Sequence, residues 1–184
     1  GGTLYVRANV VDKDNKSASG KLKITNKANI KIGDTSFDTL EVENGVYIPR
    51  KIVVTPGEGV TVKNKDRITY RVSWENYLDD TANVVIRDTL VDGVDYVSSL
   101  SKVSYSTGSD VPNATVKFDE ESRELVFNLG EQNAKAEGYV TFTVEVTKKA
   151  PDVITNRASL DIGDSRINTN EVKNPVHKNI LTGG

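Results

Sequence analysis

The sequence predicts an all-β protein, built as an antiparallel β-sandwich with extra strands at its N-terminal end. In many short segments, β-branched or aromatic residues alternate with polar residues, which is typical of strands with one buried face. Clusters of Gly, Pro, Asn and Asp separate these segments at short intervals, as they do in antiparallel sandwiches. No long amphipathic pattern predicts a helix.

The predicted strands follow one another along the chain and cover residues 4–11, 68–74, 82–87, 115–118, 124–129 and 139–146. The second of these segments, ITYRVSW, places Ile, Tyr, Val and Trp on a single face because strand side chains alternate between faces. Turn-forming residues fill the gaps, for example at residues 55–59 and 108–112. Residues 131–138 fit either one helical turn or a loop.

An internal repeat is the most informative feature of the sequence. Residues 24–46 read ITNKANIKIGDTSFDTLEVENGV and residues 154–176 read ITNRASLDIGDSRINTNEVKNPV, so about half of the positions are identical without a gap. The segments before the two copies, residues 2–7 and 138–143, also correspond. The N-terminal copy has no counterpart of the material between residues 47 and 137.

This asymmetry predicts the domain organisation. We expect residues 1–46 to be the C-terminal strands of a preceding module, residues 47–176 to be one complete module, and residues 177–184 to be a linker tail. A few strands with one apolar face cannot bury that face alone. We therefore expect residues 1–46 to pack on a neighbouring module of the same protein or to exchange strands with another chain.

The composition argues against several classes of function. The chain carries 24 basic and 26 acidic residues, which gives no reason to expect nucleic acid or a membrane surface as a partner. No apolar run approaches the roughly 20 residues that span a bilayer. With no Cys and one His, the sequence lacks thiolate metal ligands and any clear nucleophile–base pair, so we expect no cofactor, no metal and no enzymatic activity.

Four ordered motifs resemble a known family. They are DRITYRVSWEN at residues 66–76, NVVIRDTLVDGVDYV at residues 83–97, ITNRASL at residues 154–160 and NEVKNPV at residues 170–176. Together they resemble the DUF11-like, isopeptide-forming domains of Gram-positive fimbrial and surface adhesin stalk proteins. The resemblance implies an Ig-like fold and a place outside the cell, on the bacterial cell wall.

The resemblance also implies a self-made cross-link. Such domains often join a Lys of the first strand to an Asn of the last by an amide bond that a buried acid promotes. These roles fall on Lys51, Asn156 and Asp88, with Asp88 as the catalytic, single-turnover promoter. Burial favours a neutral amine and a protonated acid, and folding holds the reacting groups together. Asn26 aligns with Asn156, but its matching Lys and Asp are absent from this chain, so we expect Asn26 to be unreacted.

Each of these residues also has an ordinary structural interpretation. Asp88 and Asn156 are residue types that bond turns and backbone, and Lys51 could be an exposed strand residue. Lys63 and Lys65 are alternative amine donors.

Two functions fit these expectations. The first is a mechanical stalk or spacer module of a cell-surface adhesin or pilus protein. The alternative is an adhesin domain without a cross-link that binds a host or cell-surface ligand through the loops around residues 77–80 or 98–113, where Tyr77 and Tyr105 lie. A loop cluster of aromatic residues would favour the alternative.

Overall fold

A computed structural model of the 184-residue chain describes residues 2–8 and 21–179. The regular structure of these residues is almost entirely strand. Four strands come first: β1 (Lys21–Asn26), β2 (Asn29–Ile32), β3 (Thr35–Asp38) and β4 (Val42–Tyr47). The following strands are β5 (Lys51–Thr55), β6 (Arg67–Glu75), β7 (Ala82–Thr89), β8 (Val94–Tyr96), β9 (Lys102–Tyr105), β10 (Thr115–Phe118), β11 (Glu124–Gln132), β12 (Glu137–Val146), β13 (Val153–Asn156), β14 (Ala158–Ile162), β15 (Ser165–Asn168) and β16 (Val172–Pro175).

Ten of the strands from β5 to β16 form a sandwich of two antiparallel sheets. One sheet has the order β10–β11–β7–β14–β15, and the other has the order β5–β6–β12–β8, with β9 also paired to β12. Strands β13 and β16 form a separate antiparallel pair. The predicted all-β antiparallel sandwich is therefore confirmed, and no helix long and apolar enough to cross a membrane occurs among the residues described.

The core lies between the two sheets. The buried apolar residues of β6 are those that the alternating pattern predicted: Ile68, Tyr70, Val72 and Trp74. Phe142 packs against the ring of Tyr70 with a centroid separation of 5.3 Å and against Phe127 from the opposite sheet at 5.8 Å. Each such side chain contributes about 1.5–3 kcal/mol by leaving water, so the core aromatic residues hold the two sheets together.

One local prediction needs correction, and one open alternative is decided. Residues 2–8 form no strand, and Leu4 and Tyr5 are exposed. Their counterpart in the repeat is β12, which pairs with β6, β8 and β9, whereas residues 2–8 have no neighbouring strand to pair with among the described residues. The rest of that predicted strand, residues 9–11, lies outside the described residues. Residues 131–138 contain the end of β11, a turn and the start of β12, so the loop interpretation is right.

The two copies of the repeat fold alike. Strand β1 pairs with β4 in the register that β13 and β16 use: Ile24 lies opposite Asn44, as Ile154 lies opposite Asn174. The inner hairpins β2–β3 and β14–β15 also share a register. The copies differ in their neighbours, since β14 also pairs with β7 whereas β2 pairs with β3 alone in the described part of the chain. The assignment of residues 1–46 to a preceding module stays a prediction.

Candidate cross-link site

The three side chains singled out from the sequence lie together in the interior of the sandwich. Lys51, Asp88 and Asn156 are 0%, 1% and 5% exposed. The Lys51 Nζ atom lies 2.5 Å from Asp88 Oδ2, and Asn156 Nδ2 donates a hydrogen bond to Asp88 Oδ1 at 2.9 Å. The Asp88 carboxylate therefore bridges the amine and the amide, one oxygen to each.

Strand alternation explains this convergence. Lys51 begins β5 and shares its buried face with Val53, while Asp88 shares the inward face of β7 with Ile86. Strands β5 and β7 belong to opposite sheets, so the contact between Lys51 and Asp88 crosses the core. The resemblance implied that the Asn lies on the last strand. Asn156 instead ends β13, and three further strands follow it. Strand β5 pairs with β6 and not with β13.

The surroundings of the Lys51 amine are apolar and aromatic. Its Nζ atom lies 4.4 Å from the centroid of the Tyr70 ring and 4.6 Å from that of the Phe142 ring. Burial lowers the pKa of Lys51, and burial raises the pKa of Asp88, although the attraction between the two groups opposes both shifts. Because burial is the larger cause for both residues, the environment favours a neutral amine beside a protonated acid.

One residue of the site was missed by the sequence analysis. Asn170, in the loop between β15 and β16, accepts a hydrogen bond from the Lys51 backbone N–H and donates one to the Lys51 carbonyl, both at 2.8 Å. It thereby fixes the main chain that carries the buried amine. A comparison of the two repeat copies could have drawn attention to this residue, because the N-terminal copy has Leu40 where the second copy has the polar Asn170.

The Asn156 amide is only partly satisfied. Its Nδ2 atom donates to Asp88, but its Oδ1 atom is buried and has no hydrogen-bond partner among the described residues. An unpaired buried carbonyl costs about 1–3 kcal/mol relative to a bonded one. The amide is thus held through its nitrogen by the same carboxylate that contacts the Lys51 amine, while its carbonyl oxygen is left without a partner.

The alternative amine donors occupy a different environment. Lys63 and Lys65 are exposed, on the turn that precedes β6. Lys51, by contrast, is fully buried and is not the exposed strand residue of the ordinary interpretation. The side chain of Asp88 likewise contacts Lys51 and Asn156 within the core.

The tyrosines near the two loops considered for ligand binding pack on their own module. The Tyr96 ring lies 5.3 Å from Phe118, and the Tyr105 ring lies 5.9 Å from Trp74. Tyr77 is half-buried against the core. These residues form no exposed aromatic cluster in the described part of the chain.

Comparison with protein families gives one match. The family model described as a domain of unknown function, DUF7619, matches residues 49–175. The expected likeness to DUF11 is not shown by this match. No curated protein matches by sequence.

Solved structures of bacterial surface proteins share the fold. The C-terminal domain of the Streptococcus agalactiae AgI/II polypeptide BspA has a TM-score of 0.55 at 17% identity, over 88% of this chain and 60% of that one. The Bacillus cereus major pilin BcpA has a TM-score of 0.59 at 15% identity, over 83% of this chain and 48% of that one. The Corynebacterium diphtheriae major pilin SpaD has a TM-score of 0.55 at 17% identity, over 70% and 35%.

These similarities establish the fold. They confirm the predicted Ig-like sandwich and the expected likeness to domains of Gram-positive adhesins and pilins. The chain spans about 60% of the length of the BspA structure and less than half of each pilin.

Proposed function

Because the chain belongs to the DUF7619 family and shares its fold with adhesin and pilin domains, we propose that it is a stalk module of a bacterial cell-surface adhesin or pilus protein. In this proposal, residues 47–176 are an isopeptide-forming module of the DUF11-like kind, held outside the cell on the cell wall between neighbouring modules. The module ties its own strands together with an amide between Lys51 and Asn156. The observation that carries the proposal is the buried contact of both residues with Asp88.

The contacts suggest a complete route for the protons. Asp88 first takes a proton from Lys51 through Oδ2, which leaves a neutral amine and a carboxylic acid. The Lys51 Nζ atom attacks Cγ of Asn156, a new C–N bond forms and the bond from Cγ to Nδ2 breaks. Asp88 gives its proton to Nδ2, which leaves as ammonia, and takes the second proton from Nζ. Asp88 ends protonated, and the core holds no charge.

The energetics of burial also support this role. A buried ion pair is often less stable than an apolar replacement of the same volume, because removing both charges from water costs more than their attraction returns. Formation of the amide removes the charge from Lys51 and leaves Asp88 neutral. Proton transfer within the pair already removes both charges, and the amide would make that neutral state permanent. Each molecule reacts once, so the proposal involves no enzymatic turnover.

A covalent tie suits a stalk. Lys51 lies in the first strand of one sheet, and Asn156 precedes β14 of the other sheet, so the amide would join the two layers. Tension on the ends of the module would then pass through covalent bonds and not through the hydrogen bonds of the sheets. Ligand binding by the loops has less support, since Tyr96 and Tyr105 pack on the module itself.

Intact-protein mass spectrometry tests the proposal. We expect the purified chain to weigh about 17 Da less than its sequence mass, the loss of one ammonia, and digestion to yield one peptide pair joined through Lys51 and Asn156. Asp88→Ala and Asn156→Ala should both restore the full mass. The double variant Lys63→Ala/Lys65→Ala should keep the loss, which excludes the exposed donors.

The outcome is decisive in either direction. A folded wild-type chain of full mass would overturn the cross-link, as would ammonia loss that persists in both the Asp88→Ala and the Asn156→Ala chains. Asn156→Ala leaves the contact between Lys51 and Asp88 intact, so it reports on the reaction even where Asp88→Ala fails to fold.

A further inference from the structure

The N-terminal copy of the repeat presents an apolar face that the second copy buries. Ile30, Ile32 and Val42 are 51%, 68% and 55% exposed. The equivalent residues of the second copy, Leu160, Ile162 and Val172, are at most 1% exposed. Since the copies have the same strands and the same registers, the difference lies in what covers them.

The second copy shows what the cover is. Strand β14 pairs with β7, and this register sets Ala158 opposite Asp88. Asn156, two residues earlier, then reaches the same carboxylate. Strand β2 has no such neighbour among the described residues, and Asn26 is exposed at the position of Asn156. A sandwich body like residues 47–152, added along β2, would cover the apolar face and bring an Asp and a Lys to Asn26.

Charged residues on the β2–β3 hairpin indicate which sandwich body the N-terminal copy can pair with. In the second copy, Asp161 accepts hydrogen bonds from Arg166 at 2.6 Å and from Arg87 of β7 at 3.1 Å. The N-terminal copy has Lys31 in place of Asp161 and Ser36 in place of Arg166. On the body of a second copy of this chain, Lys31 would lie diagonally across from Arg87, opposite Val85. Arg87 would keep its contact with Glu124 at 3.1 Å but would exchange the attraction of Asp161 for the repulsion of Lys31.

A second difference points the same way. Asn170 makes two hydrogen bonds to the main chain of Lys51, whereas Leu40 stands at this position in the N-terminal copy and makes neither. Seated on a second copy of this chain, the N-terminal copy would leave the backbone N–H and carbonyl of Lys51 without these partners. Both differences disfavour strand exchange between identical chains.

We propose that strands β1–β4 close the sandwich body of a different module, one with an acidic residue where this chain has Arg87, and that Asn26 accepts an amide bond from a lysine of that body. In the second copy the body, β5–β12, comes before its closing strands, β13–β16, along the chain. The amide at Asn26 would form with loss of ammonia, as at Asn156, and that part rests on the proposed function. The docking of β1–β4 does not depend on it.

A charge-exchange experiment on the full chain tests this proposal. All proteins carry Asn156→Ala, so that Lys51 stays free to react with Asn26 of another molecule. The parent is compared with chains that also carry R87E, K31D, or both. Lys31 is exposed, so K31D leaves the core intact. Dimers are measured by sedimentation, and covalent dimers by denaturing gel and by a peptide joining Lys51 to Asn26.

We expect the parent to be monomeric. R87E alone and K31D alone should each raise the dimer fraction roughly fivefold, because each sets opposite charges diagonally across from each other, and the double variant should return towards the parent. Addition of Asn26→Ala should abolish the covalent dimers and leave the non-covalent dimers that sedimentation detects.

Other results overturn the proposal. A parent that dimerises as well as the single variants would make a second copy the natural occupant. If R87E raises the dimer fraction equally with and without K31D, the cause is weaker pairing of β14 with β7 in the same chain and not recognition between Lys31 and residue 87. Monomers throughout would contradict the charge recognition from which the matching body is inferred. Sedimenting dimers in the expected order with no covalent product would contradict the amide chemistry alone.

Discussion

The buried pair of Lys51 and Asp88 is costly for a module that has no other use for charge in its core. Transferring each ion from water costs several kcal/mol after relaxation. The rings of Tyr70 and Phe142 return about 2 kcal/mol to a desolvated ammonium. Proton transfer from Lys51 to Asp88 removes both charges, and it also produces the amine that can attack Asn156. In the proposed cross-link, the burial that makes the ion pair costly is also what supplies the neutral amine.

Asn170 governs how the amine is held, and we expect its substitution to slow the reaction. Asn170→Leu introduces the residue of the N-terminal copy and removes both hydrogen bonds to the Lys51 main chain. Loss of two hydrogen bonds of about 1 kcal/mol each corresponds to a tenfold or larger drop in the population of the reactive geometry. The measurement is the fraction of chains that have lost ammonia, followed by mass spectrometry after cell-free synthesis.

Asn174→Leu is the matched control. Asn174 is buried in β16 and donates to the Gly57 and Val60 carbonyls, away from Lys51. This variant should lose comparable stability and still mature at the wild-type rate. Equal maturation rates for the Asn170→Leu and wild-type chains would contradict a positioning role for Asn170.

At the scale of the element, close approach of backbones decides where side chains are allowed. Gly138 of β12 lies between Trp74 of β6 and Tyr105 of β9. A Cβ atom at this position would meet the Ser104 carbonyl oxygen at 2.0 Å, so β9 would have to separate from β12. We expect Gly138→Ala to lower the free energy of unfolding by about 2–4 kcal/mol, measured by denaturant unfolding in an Asn156→Ala background.

Gly45→Ala is the control for this prediction. Gly45 lies in β4, its φ is not positive, and a Cβ atom added there would meet no described heavy atom within 4 Å. Its substitution should change stability by less than about 0.5 kcal/mol. If the two variants unfold alike, strand β9 does not need the close approach at Gly138.

The longer strands of the module, β6, β7, β11 and β12, were predictable because each has one face in the core. The alternation in β6 is visible for this reason, and it names the buried apolar residues correctly. The segment at residues 4–11 carries the same alternation, but residues 2–8 form no strand. A strand needs hydrogen-bonded neighbours, and an alternating pattern reports the preference of the segment and not the presence of its partners.

The candidate site was predictable only in part. The alternation of β7 puts Asp88 on the face of Ile86, which the structure bears out. In β5 both faces carry apolar residues, so alternation alone did not show that Lys51 points inwards. Asn170 acts through backbone atoms of a strand distant in sequence, and no local pattern records such a contact.

For the whole molecule, the amide would change how the module responds to unfolding. A link between Lys51 and Asn156 closes a loop of about 100 residues, which by the chain-entropy model of cross-links stabilises the fold by about 5 kcal/mol. The link also divides the chain into a part that tension can extend and a part that it cannot. Strands β1–β4 lie outside the loop and β6–β12 lie inside it.

Single-molecule force spectroscopy of the chain, pulled from its two ends, measures this division. Residues between Lys51 and Asn156 can contribute no length in the cross-linked chain. In Asn156→Ala they are free to extend, so its unfolding should release roughly 350 Å more contour length than the wild type, at up to about 3.6 Å per residue. Lys63→Ala, which alters an exposed lysine, should behave as wild type. Equal contour lengths for wild type and Asn156→Ala would mean that the strands bear tension through hydrogen bonds alone, and the stalk would then have no covalent tie in this module.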